Sequence, residues 1–243
     1  SLNNNVRRLK QKKIKIFLNH KKSNIDNVHT VVYSSAIKKN NPEIIASKKL
    51  GIPLIRRAEM LAELMRYKHS VVVAGSHGKT TTTSLIGSVL ENGKKDPTII
   101  NGGIINSFQN NYRLGLGKWM VVEADESDGT FLKLPHEINI ITNIDFEHLD
   151  YYQNIKNLLS SFEKFALNIP FYGYSIICLD NVNTKKLVHK IKTRKVITYG
   201  IDNKKADLNI EKISPIKNYT LFSINIKKNI FPHYKSNYKF KLN

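Results

Sequence analysis

The stretch VVVAGSHGKTTTTSLIG, residues 71–87, decides the fold of this chain. Its three valines form a short apolar run of the kind that buried parallel strands use. Apolar residues at helical spacing continue to position 92, and Gly93 is typical of a helix end. Between the two segments, Gly75 and Gly78 allow the backbone to approach a ligand closely. The stretch therefore predicts a buried strand, a small loop and a helix.

The chemistry of this loop predicts a bound phosphate group. The first amides of a helix have no partner inside the helix and attract anions. Lys79 would reach the outer phosphates of a nucleotide, and a hydroxyl from Thr80 or Thr81 would bind the accompanying magnesium ion. The spacing G-x-x-G-K-T is two residues shorter than the common phosphate loop, so the match is imperfect. A plain Gly-Ser-His-Gly turn is the alternative, but the strand–loop–helix context favours the phosphate site.

Composition limits the classes of partner. The 243 residues are enough for one large or two modest domains. A net charge of +20 would suit a nucleic acid. However, 32 of the 39 basic residues are lysines, and the chain is rich in Asn and Ile, as A- and T-rich codons would produce. Because the sequence also has no helix-turn-helix or zinc spacing, we do not expect nucleic acid to be the principal partner.

Three features of the sequence bear on location. It has no run of eighteen apolar residues, which predicts no transmembrane helix and no membrane partner. No apolar segment follows the basic residues 1–22, so they do not read as a secretory signal. The single cysteine, Cys178, is expected to be a core thiol in a reducing compartment. Together these features predict a cytoplasmic protein.

Strand and helix patterns alternate along the chain, which is typical of a parallel α/β fold. After a basic, helix-forming start, the first part predicts strands at 14–17, 31–35 and 52–55 and helices at 42–49 and 57–67. The second part predicts strands at 71–73, 98–100, 119–125, 138–144, 174–179 and 195–200, with helices at 80–92, 155–168 and 183–192. Residues 208–231 predict two or three more strands, and the last dozen residues predict no element.

Acidic residues and a histidine follow two of the predicted strands. Ligands of a doubly wound sheet lie beyond the carboxyl ends of its strands, so these side chains are candidates for metal binding. We select Glu123, which could fix a phosphate-bound Mg²⁺, and His148, which could complete a second ion site or carry a proton. A solvated turn and a surface histidine are the alternatives. The weaker candidates around them are Asp125, Glu126, Asp128, Asn143, Asp145, Glu147 and Asp150.

Five separated motifs, in the correct order, resemble the Mur ligase family. They are VVYSSAIKKNNPEIIASKKLGIPLIRRAEMLAELMR, AGSHGKTTTTSLI, TIINGGIINSFQNNYRLGLG, VVEADESDGTFL and TNIDFEHLDYY. The resemblance runs over residues 31–200, approximately. Family members have a shortened G-[ST]-H-G-K-T-T loop, which accounts for the unusual spacing in this chain.

The resemblance implies an activity. Mur ligases use ATP to join an amino acid to the carboxylate of a UDP-sugar in peptidoglycan precursor synthesis, through an acyl phosphate that the amine attacks. Within the family, the motifs are most similar to the members that join L-alanine to UDP-N-acetylmuramate. Members that attach a whole tripeptide to this sugar are the alternative. A non-catalytic nucleotide- or polyanion-binding module is a third interpretation, and the oligomeric state is left open.

The resemblance also implies roles for individual residues. Lys79 would contact the β- and γ-phosphates, and Lys79 and His148 are the implied catalytic residues. The implied magnesium ligands are Thr80 and Glu123 for one ion and His148 for the second. The residues implied to hold ATP are Gly75, Ser76, His77, Gly78, Lys79, Thr80 and Thr81.

Family members have three domains, and this chain is expected to contain only part of them. We expect residues 1–67 to be the second half of a Rossmann-like UDP-sugar-binding domain, because its opening Gly-rich turn is missing. Residues 68–243 are expected to form a nearly complete central ATP-binding domain, α/β and of the P-loop type, with a mostly parallel sheet. The C-terminal ligase domain is expected to be absent. Such a fragment would bind nucleotide weakly and ligate little or nothing.

Overall fold

The structure is a computed structural model that describes residues 4–34, 36–105, 110–127, 129–233 and 235–242. The chain divides into two compact units, Ser1–Leu61 and Ala62–Asn243. The phosphate loop and both clusters of acidic residues belong to the second unit. The domain boundary between residues 67 and 68 remains a prediction.

The first unit is built from two helices and a pair of parallel strands. Its elements are α1 (Asn4–Gln11), a 3₁₀ turn (Lys22–Ile25), β1 (Val31–Tyr33), α2 (Pro42–Lys49) and β2 (Leu54–Arg56). α2 begins where the sequence predicts because Asn41 caps it. The Asn41 side chain accepts the Glu43 N–H at 2.9 Å, and Pro42 fills the first helical position.

The strand predicted at residues 14–17 is wrong. These residues have no regular secondary structure, and Ile14 and Phe17 are each about half exposed. Among the described residues of the first unit, β1 and β2 form a two-stranded sheet of their own. Residues 14–17 therefore have no strand partner, and an alternating apolar pattern forms a strand only where a neighbour satisfies its backbone hydrogen bonds.

The remaining elements confirm the predicted alternation. They are α3 (Arg57–Met65), β3 (His69–Ala74), α4 (Lys79–Asn92), β4 (Thr98–Ile105), β5 (Asn110–Arg113), β6 (Trp119–Glu123), β7 (Ile138–Ile141), α5 (Leu149–Tyr152), α6 (Ile155–Leu167), β8 (Tyr174–Cys178), α7 (Val182–Lys190), β9 (Val196–Ile201), β10 (Leu208–Ile216), β11 (Tyr219–Ile226) and β12 (Asn237–Leu242). Every strand and helix predicted between residues 71 and 200 is present, with small differences at the ends.

Ten strands of the described chain form one sheet, in the order β12-β11-β10-β9-β8-β7-β3-β6-β4-β5. The run from β10 to β4 is parallel throughout. β11 and β12 at one end and β5 at the other pair antiparallel with their neighbours. The predicted α/β class with a mostly parallel sheet is therefore confirmed.

The sequence did not predict the two edge strands. β5 has the sequence NNYR, which has weak strand propensity. β12 pairs with β11, and the rings of Phe222 and Phe240 stack across the pair with 5.4 Å between their centroids. Both edge strands form because a neighbouring strand offers its free backbone groups, which is a property of the assembled sheet and not of the local sequence.

The middle of the sheet is fully buried on both faces. Val72 and Val73 of β3 have no exposed surface. Behind the sheet, the ring of Phe131 packs against Phe162 and Phe165 of α6, with centroid distances of 5.4 and 5.0 Å. Burial of each of these rings stabilises the fold by about 2–3 kcal/mol. This packing fixes the segment that connects β6 to β7, and the acids Glu123 and Glu126 lie at the start of that segment.

None of the helices in the described part of the chain combines the length and the apolar character that crossing a bilayer requires. Cys178 lies in β8 and is partly buried. Burial raises the pKa of the Cys178 thiol, which keeps the group protonated near neutral pH.

His136 gives the fold a predicted dependence on pH. Its Nδ1 lies 2.7 Å from the Leu134 carbonyl oxygen and its Nε2 lies 3.3 Å from that of Phe165. Burial lowers the pKa of His136 below its ordinary value of 6.5. The unfolded chain therefore binds a proton below pH 6.5 while the folded chain does not. We expect the free energy of unfolding to fall on acidification, by up to about 1.4 kcal/mol per pH unit, until the folded-state pKa is reached.

Urea unfolding between pH 7.5 and pH 5.5 measures this effect. His136→Gln should lose most of the pH dependence, whereas His189→Gln, at an exposed position on α7, should retain it. An unchanged pH dependence in His136→Gln would show that other groups control acid stability.

Candidate nucleotide site

The candidate site lies where the direction of the sheet connections reverses. β3 lies between β7 and β6, and α4 carries the chain from β3 to β4 on one side. α5 and α6 carry it from β7 to β8 on the other side. Right-handed crossovers in opposite directions place the helices on opposite faces and leave a crevice beyond the carboxyl ends of β3 and β7. The loop at residues 75–78 opens into this crevice.

Side chains and backbone that follow β7 hold the loop in shape. The Thr142 hydroxyl donates to the His77 carbonyl at 2.7 Å, and the His77 N–H donates to Asn143 Oδ1 at 2.8 Å. The Asp145 N–H donates to Ser76 Oγ at 2.8 Å. Ser76 and His77 therefore make hydrogen bonds to the segment that follows β7, and these bonds hold the loop in its shape.

The start of α4 presents uncapped amides. Its N-cap is Gly78, which has a left-handed φ of 80° and no side chain with which to accept the first helical N–H groups. Gly75 has φ 136°, and a Cβ at that position would lie 2.2 Å from Thr142 Oγ1. Both glycines are thus required by backbone geometry, and the helix start offers its donors to an anion.

Lys79 folds back across the loop. Its ammonium donates to the Gly75 carbonyl at 2.6 Å, to the Ser76 carbonyl at 3.0 Å and to Glu126 Oε1 at 2.9 Å. The Glu126 side chain is almost completely buried. Lys79 therefore lies at the crevice, as predicted, in an ion pair that the sequence did not predict.

Thr80, and not Thr81, joins the acidic cluster that follows β6. The Thr80 hydroxyl lies 2.9 and 3.0 Å from the two carboxylate oxygens of Glu123. The Gly102 N–H also donates to Glu123, at 2.6 Å. Thr81 is exposed to solvent. Of the two threonines that the sequence left open, Thr80 is the one whose hydroxyl contacts Glu123, and its role as a magnesium ligand stays a prediction.

His148 belongs to a second cluster in the same crevice. Its Nε2 lies 3.5 Å from Glu126 Oε1. One ligand atom from each of Glu126, Glu147 and His148 can be chosen so that the three lie within 4.8 Å of one another. One Glu126 oxygen, Oε2, is buried without a hydrogen-bond partner in the described chain. Carboxylate and imidazole donors with a spare buried oxygen fit a divalent cation.

The structure thus brings the predicted residues to one edge of the sheet in two groups. Thr80 and Glu123 form the first, and His148 belongs to the second with Glu126. The sequence ranked Glu126 below Glu123, because nothing in the local pattern reveals that Glu126 is buried whereas Asp125 is exposed. The nearby Asp125 is exposed to solvent. Partial burial raises its pKa, but two hydrogen bonds from Ser127, together with the nearby Lys79 and His148, leave the pKa lowered. Asp128 lies outside the described residues.

Comparison with known protein families shows to which family the chain belongs. The family described as Mur ligase middle domain matches residues 73–239, which is more than half of the chain. This chain belongs to the Mur ligase family. The family described as Mur ligase family, catalytic domain, matches residues 1–69 of the same Mur ligase chain.

Individual Mur ligases match at high similarity. A UDP-N-acetylmuramate–L-alanine ligase from Brucella anthropi is 54% identical over 204 residues, which are 84% of this chain and 43% of that protein. The solved UDP-N-acetylmuramate-alanine ligase from Thermotoga maritima is 27% identical, with a TM-score of 0.77 over 98% of this chain and 52% of that chain. The chain spans about half the length of the curated relatives that it matches.

A Mur ligase with another substrate has nearly the same fold. UDP-N-acetylmuramate:L-alanyl-γ-D-glutamyl-meso-diaminopimelate ligase from Neisseria meningitidis has a TM-score of 0.75, covering 90% of this chain and 72% of that chain. Its sequence identity is 20%, so the similarity concerns the fold. Fold similarity alone does not separate the two kinds of Mur ligase.

Proposed function

We propose that this chain is the nucleotide-binding part of a UDP-N-acetylmuramate–L-alanine ligase, an ATP-dependent cytoplasmic enzyme of peptidoglycan precursor synthesis. In this proposal residues 1–67 belong to the UDP-sugar-binding domain and residues 68–243 form the central ATP-binding domain. One observation carries the nucleotide site: the uncapped start of α4, with Lys79 and the Thr80–Glu123 pair beside it. The 54% identity to the Brucella anthropi relative supports L-alanine as the amino acid.

The chain would bind ATP mainly through backbone and charge. Amides at the start of α4 would hold the phosphates, and the Lys79 ammonium would neutralise the β- and γ-phosphates. The residues proposed to hold ATP are Gly75, Ser76, His77, Gly78, Lys79, Thr80 and Thr81. Since Ser76 and His77 already bond to the segment after β7, their contribution is the shape of the loop.

Two magnesium positions are proposed from the two side-chain groups. Thr80 and Glu123 would hold one ion, and His148 would be a ligand of the second. Magnesium, when bound, would offset the charge of the phosphates and polarise the reacting phosphoryl group. The buried, unpartnered oxygen of Glu126 next to His148 supports a cation at the second position.

The proposed reaction has two steps. A carboxylate oxygen of the sugar forms a bond to the γ-phosphorus while the bond from that phosphorus to the β–γ bridging oxygen breaks, and ADP leaves. The amine nitrogen of L-alanine then bonds to the acyl carbon, the carbon–oxygen bond to phosphate breaks, and the amine loses a proton. In the first step negative charge lies on the phosphoryl oxygens, and in the second it passes from the acyl oxygen of a tetrahedral intermediate to the departing phosphate. Lys79 and the helix amides would stabilise the charge on the phosphoryl group.

Isothermal titration with Mg-ATP tests the nucleotide site on the chain itself. We expect saturable but weak binding and little or no ligation, because the chain spans only about half of its relatives. Absence of heat at millimolar nucleotide, with a folded chain by circular dichroism, would contradict the phosphate-loop assignment.

A ligation assay on a chain extended to the length of its relatives tests the substrate. We expect ATP-dependent product from UDP-N-acetylmuramate with L-alanine, and none with the L-alanyl-γ-D-glutamyl-meso-diaminopimelate tripeptide. Product with the tripeptide alone would make the chain part of the related tripeptide ligase, whose fold it shares.

A polyanion-binding module is the alternative from a different class, and the net charge of +20 favours it. It predicts retention on DNA that falls steeply with salt and is unaffected by Lys79→Ala. The ligase proposal predicts loss of ATP binding in Lys79→Ala, so the same variant in the two assays separates the two functions.

A further inference from the structure

Glu126 is a buried carboxylate whose charge needs a partner. Its side chain is 2% exposed, and its Oε1 lies 2.9 Å from the Lys79 ammonium. Its Oε2 has no hydrogen-bond partner within the described part of the chain. The Tyr152 hydroxyl donates to the Glu126 backbone carbonyl and so keeps the residue in place. A buried carboxylate with one spare oxygen is costly unless a positive group stays next to it.

Lys79 supplies that positive group, and all three N–H donors of its ammonium are used in hydrogen bonds. Lysine has three N–H donors. In this structure they are directed at the Gly75 carbonyl, the Ser76 carbonyl and Glu126 Oε1. Lys79 therefore has no donor left for a phosphate oxygen. Contact with a triphosphate therefore requires Lys79 to give up at least one of these three partners, and Glu126 is the only side chain among them.

Movement of Lys79 would leave the Glu126 charge buried and uncompensated. The side chains of the second cluster are placed to hold a cation where the Lys79 ammonium had been. His148 Nε2 lies 3.5 Å from Glu126 Oε1, and Glu147 contributes a further carboxylate oxygen within 4.8 Å. A divalent cation bound by Glu126 and His148 would restore the balance of charge and use the spare Oε2.

We propose that Glu126 exchanges one positive partner for another: it holds Lys79 when no cation is bound, and it binds a divalent cation with His148 when Lys79 moves to the phosphates. The proposal rests on the proposed nucleotide site and adds to it the residue that couples the two ligands. When a cation binds Glu126, Lys79 loses its ion pair and becomes available to the phosphates. When nucleotide binds Lys79, Glu126 loses the same ion pair and becomes available to the cation. Because such coupling is reciprocal, each ligand strengthens the binding of the other.

The exchange is tested without nucleotide by Mn²⁺ binding, measured by electron paramagnetic resonance. Lys79 competes with the metal for Glu126, so Lys79→Met should bind Mn²⁺ at least about tenfold more tightly than the unmodified chain. The double variant Lys79→Met, Glu126→Gln should lose that gain. Lys192→Met, at an exposed position, removes the same charge and should leave Mn²⁺ binding unchanged. An unchanged affinity in Lys79→Met, or a gain that persists in the double variant, overturns the proposal.

Glu126→Gln provides the second test, in case Lys79→Met does not fold. Without the carboxylate, Lys79 loses its ion pair, so ADP in the presence of a chelator should bind at least about fivefold more tightly than to the unmodified chain. Magnesium should then increase ADP affinity less than it does in the unmodified chain. Equal ADP affinity and an equal effect of magnesium in the two proteins overturn the exchange.

The two measurements separate this inference from the proposed function. If no protein binds ADP while Lys79→Met still gains Mn²⁺ affinity through Glu126, the nucleotide site is wrong and the competition for Glu126 is correct. If ADP binds through Lys79 but Mn²⁺ affinity does not respond to Lys79→Met, the nucleotide site is correct and the exchange is wrong.

Discussion

Lys79→Ala is expected to weaken Mg-ATP binding at least about 100-fold, which corresponds to about 2.7 kcal/mol. Charge-assisted hydrogen bonds from an ammonium to phosphate are each worth about 1.5–3 kcal/mol, and alanine provides neither the charge nor the donors. The loop amides are held by the segment after β7 and remain in the variant. The loss therefore reflects the ammonium and not a collapse of the loop.

Isothermal titration of the two proteins with Mg-ATP measures this loss, with circular dichroism as the check on folding. Lys192→Ala is the matched control, since Lys192 is an exposed lysine outside the crevice. It removes the same charge from a chain of net charge +20 and should retain full affinity. Equal weakening in both variants would mean that the net charge attracts the nucleotide, which is the behaviour of a polyanion-binding surface.

Gly75→Ala is expected to produce the largest loss of stability of any single methyl group added to the phosphate loop. A Cβ at Gly75 would lie 2.2 Å from Thr142 Oγ1 and 2.9 Å from the Asn143 carbonyl oxygen, in a backbone conformation with φ 136°. Overpacking of this kind costs about 1–3 kcal/mol, and strain at such a φ adds about 1–3 kcal/mol. We expect the free energy of unfolding to fall by about 2–6 kcal/mol.

Gly78→Ala is the matched comparison in the same loop. Gly78 also has a positive φ, of 80°, but no atom of the described chain lies within 4 Å of the position of its added Cβ. Only the conformational strain applies there, so we expect a loss of about 1–2 kcal/mol. Urea unfolding of the three proteins measures both values. Equal losses in the two variants would contradict the steric clash with Thr142 and Asn143.

The two variants should also differ in how they affect nucleotide binding. The clash at Gly75 is with the residues that hold Ser76 and His77, so it displaces the whole loop. Gly78 lies at the helix start, where an added methyl group meets open space. We therefore expect Gly75→Ala to abolish Mg-ATP binding and Gly78→Ala to weaken it by a smaller factor.

Local patterns in the sequence were sufficient for the central sheet and for most of the site. The valine run of β3 and the helical spacing of α4 predict strand, loop and helix because burial and periodicity are both properties of neighbouring residues. The predicted Thr80, Glu123 and His148 lie at one edge of the sheet because parallel strands carry their carboxyl ends to the same side. Their roles as metal ligands remain a prediction.

The errors have a common physical cause, which is the dependence of a strand on its partner. Residues 14–17 have an apolar pattern but no neighbouring strand, and they form none. β5 and β12 have weak patterns, and they form at the edges of a sheet that offers free backbone groups. Whether a strand partner is in place depends on the assembled sheet and not on the residues of the strand itself, so a local window predicts pairing poorly.

The sequence alone predicted the α/β class and the order of elements from residue 71 to residue 200, and it indicated the loop that we propose as the phosphate site. Those properties follow from local periodicity and from the backbone freedom of glycine. The tertiary structure was needed to show that Thr80 faces Glu123 and Thr81 faces solvent. It also showed that Glu126, unlike Glu123 and Asp125, is buried against Lys79. The physical reason is that the folded sheet brings together side chains that are distant in the sequence: Thr80 and Glu123 are 43 residues apart, and Lys79 and Glu126 are 47 residues apart. The same packing buries the Glu126 carboxylate beside a positive partner.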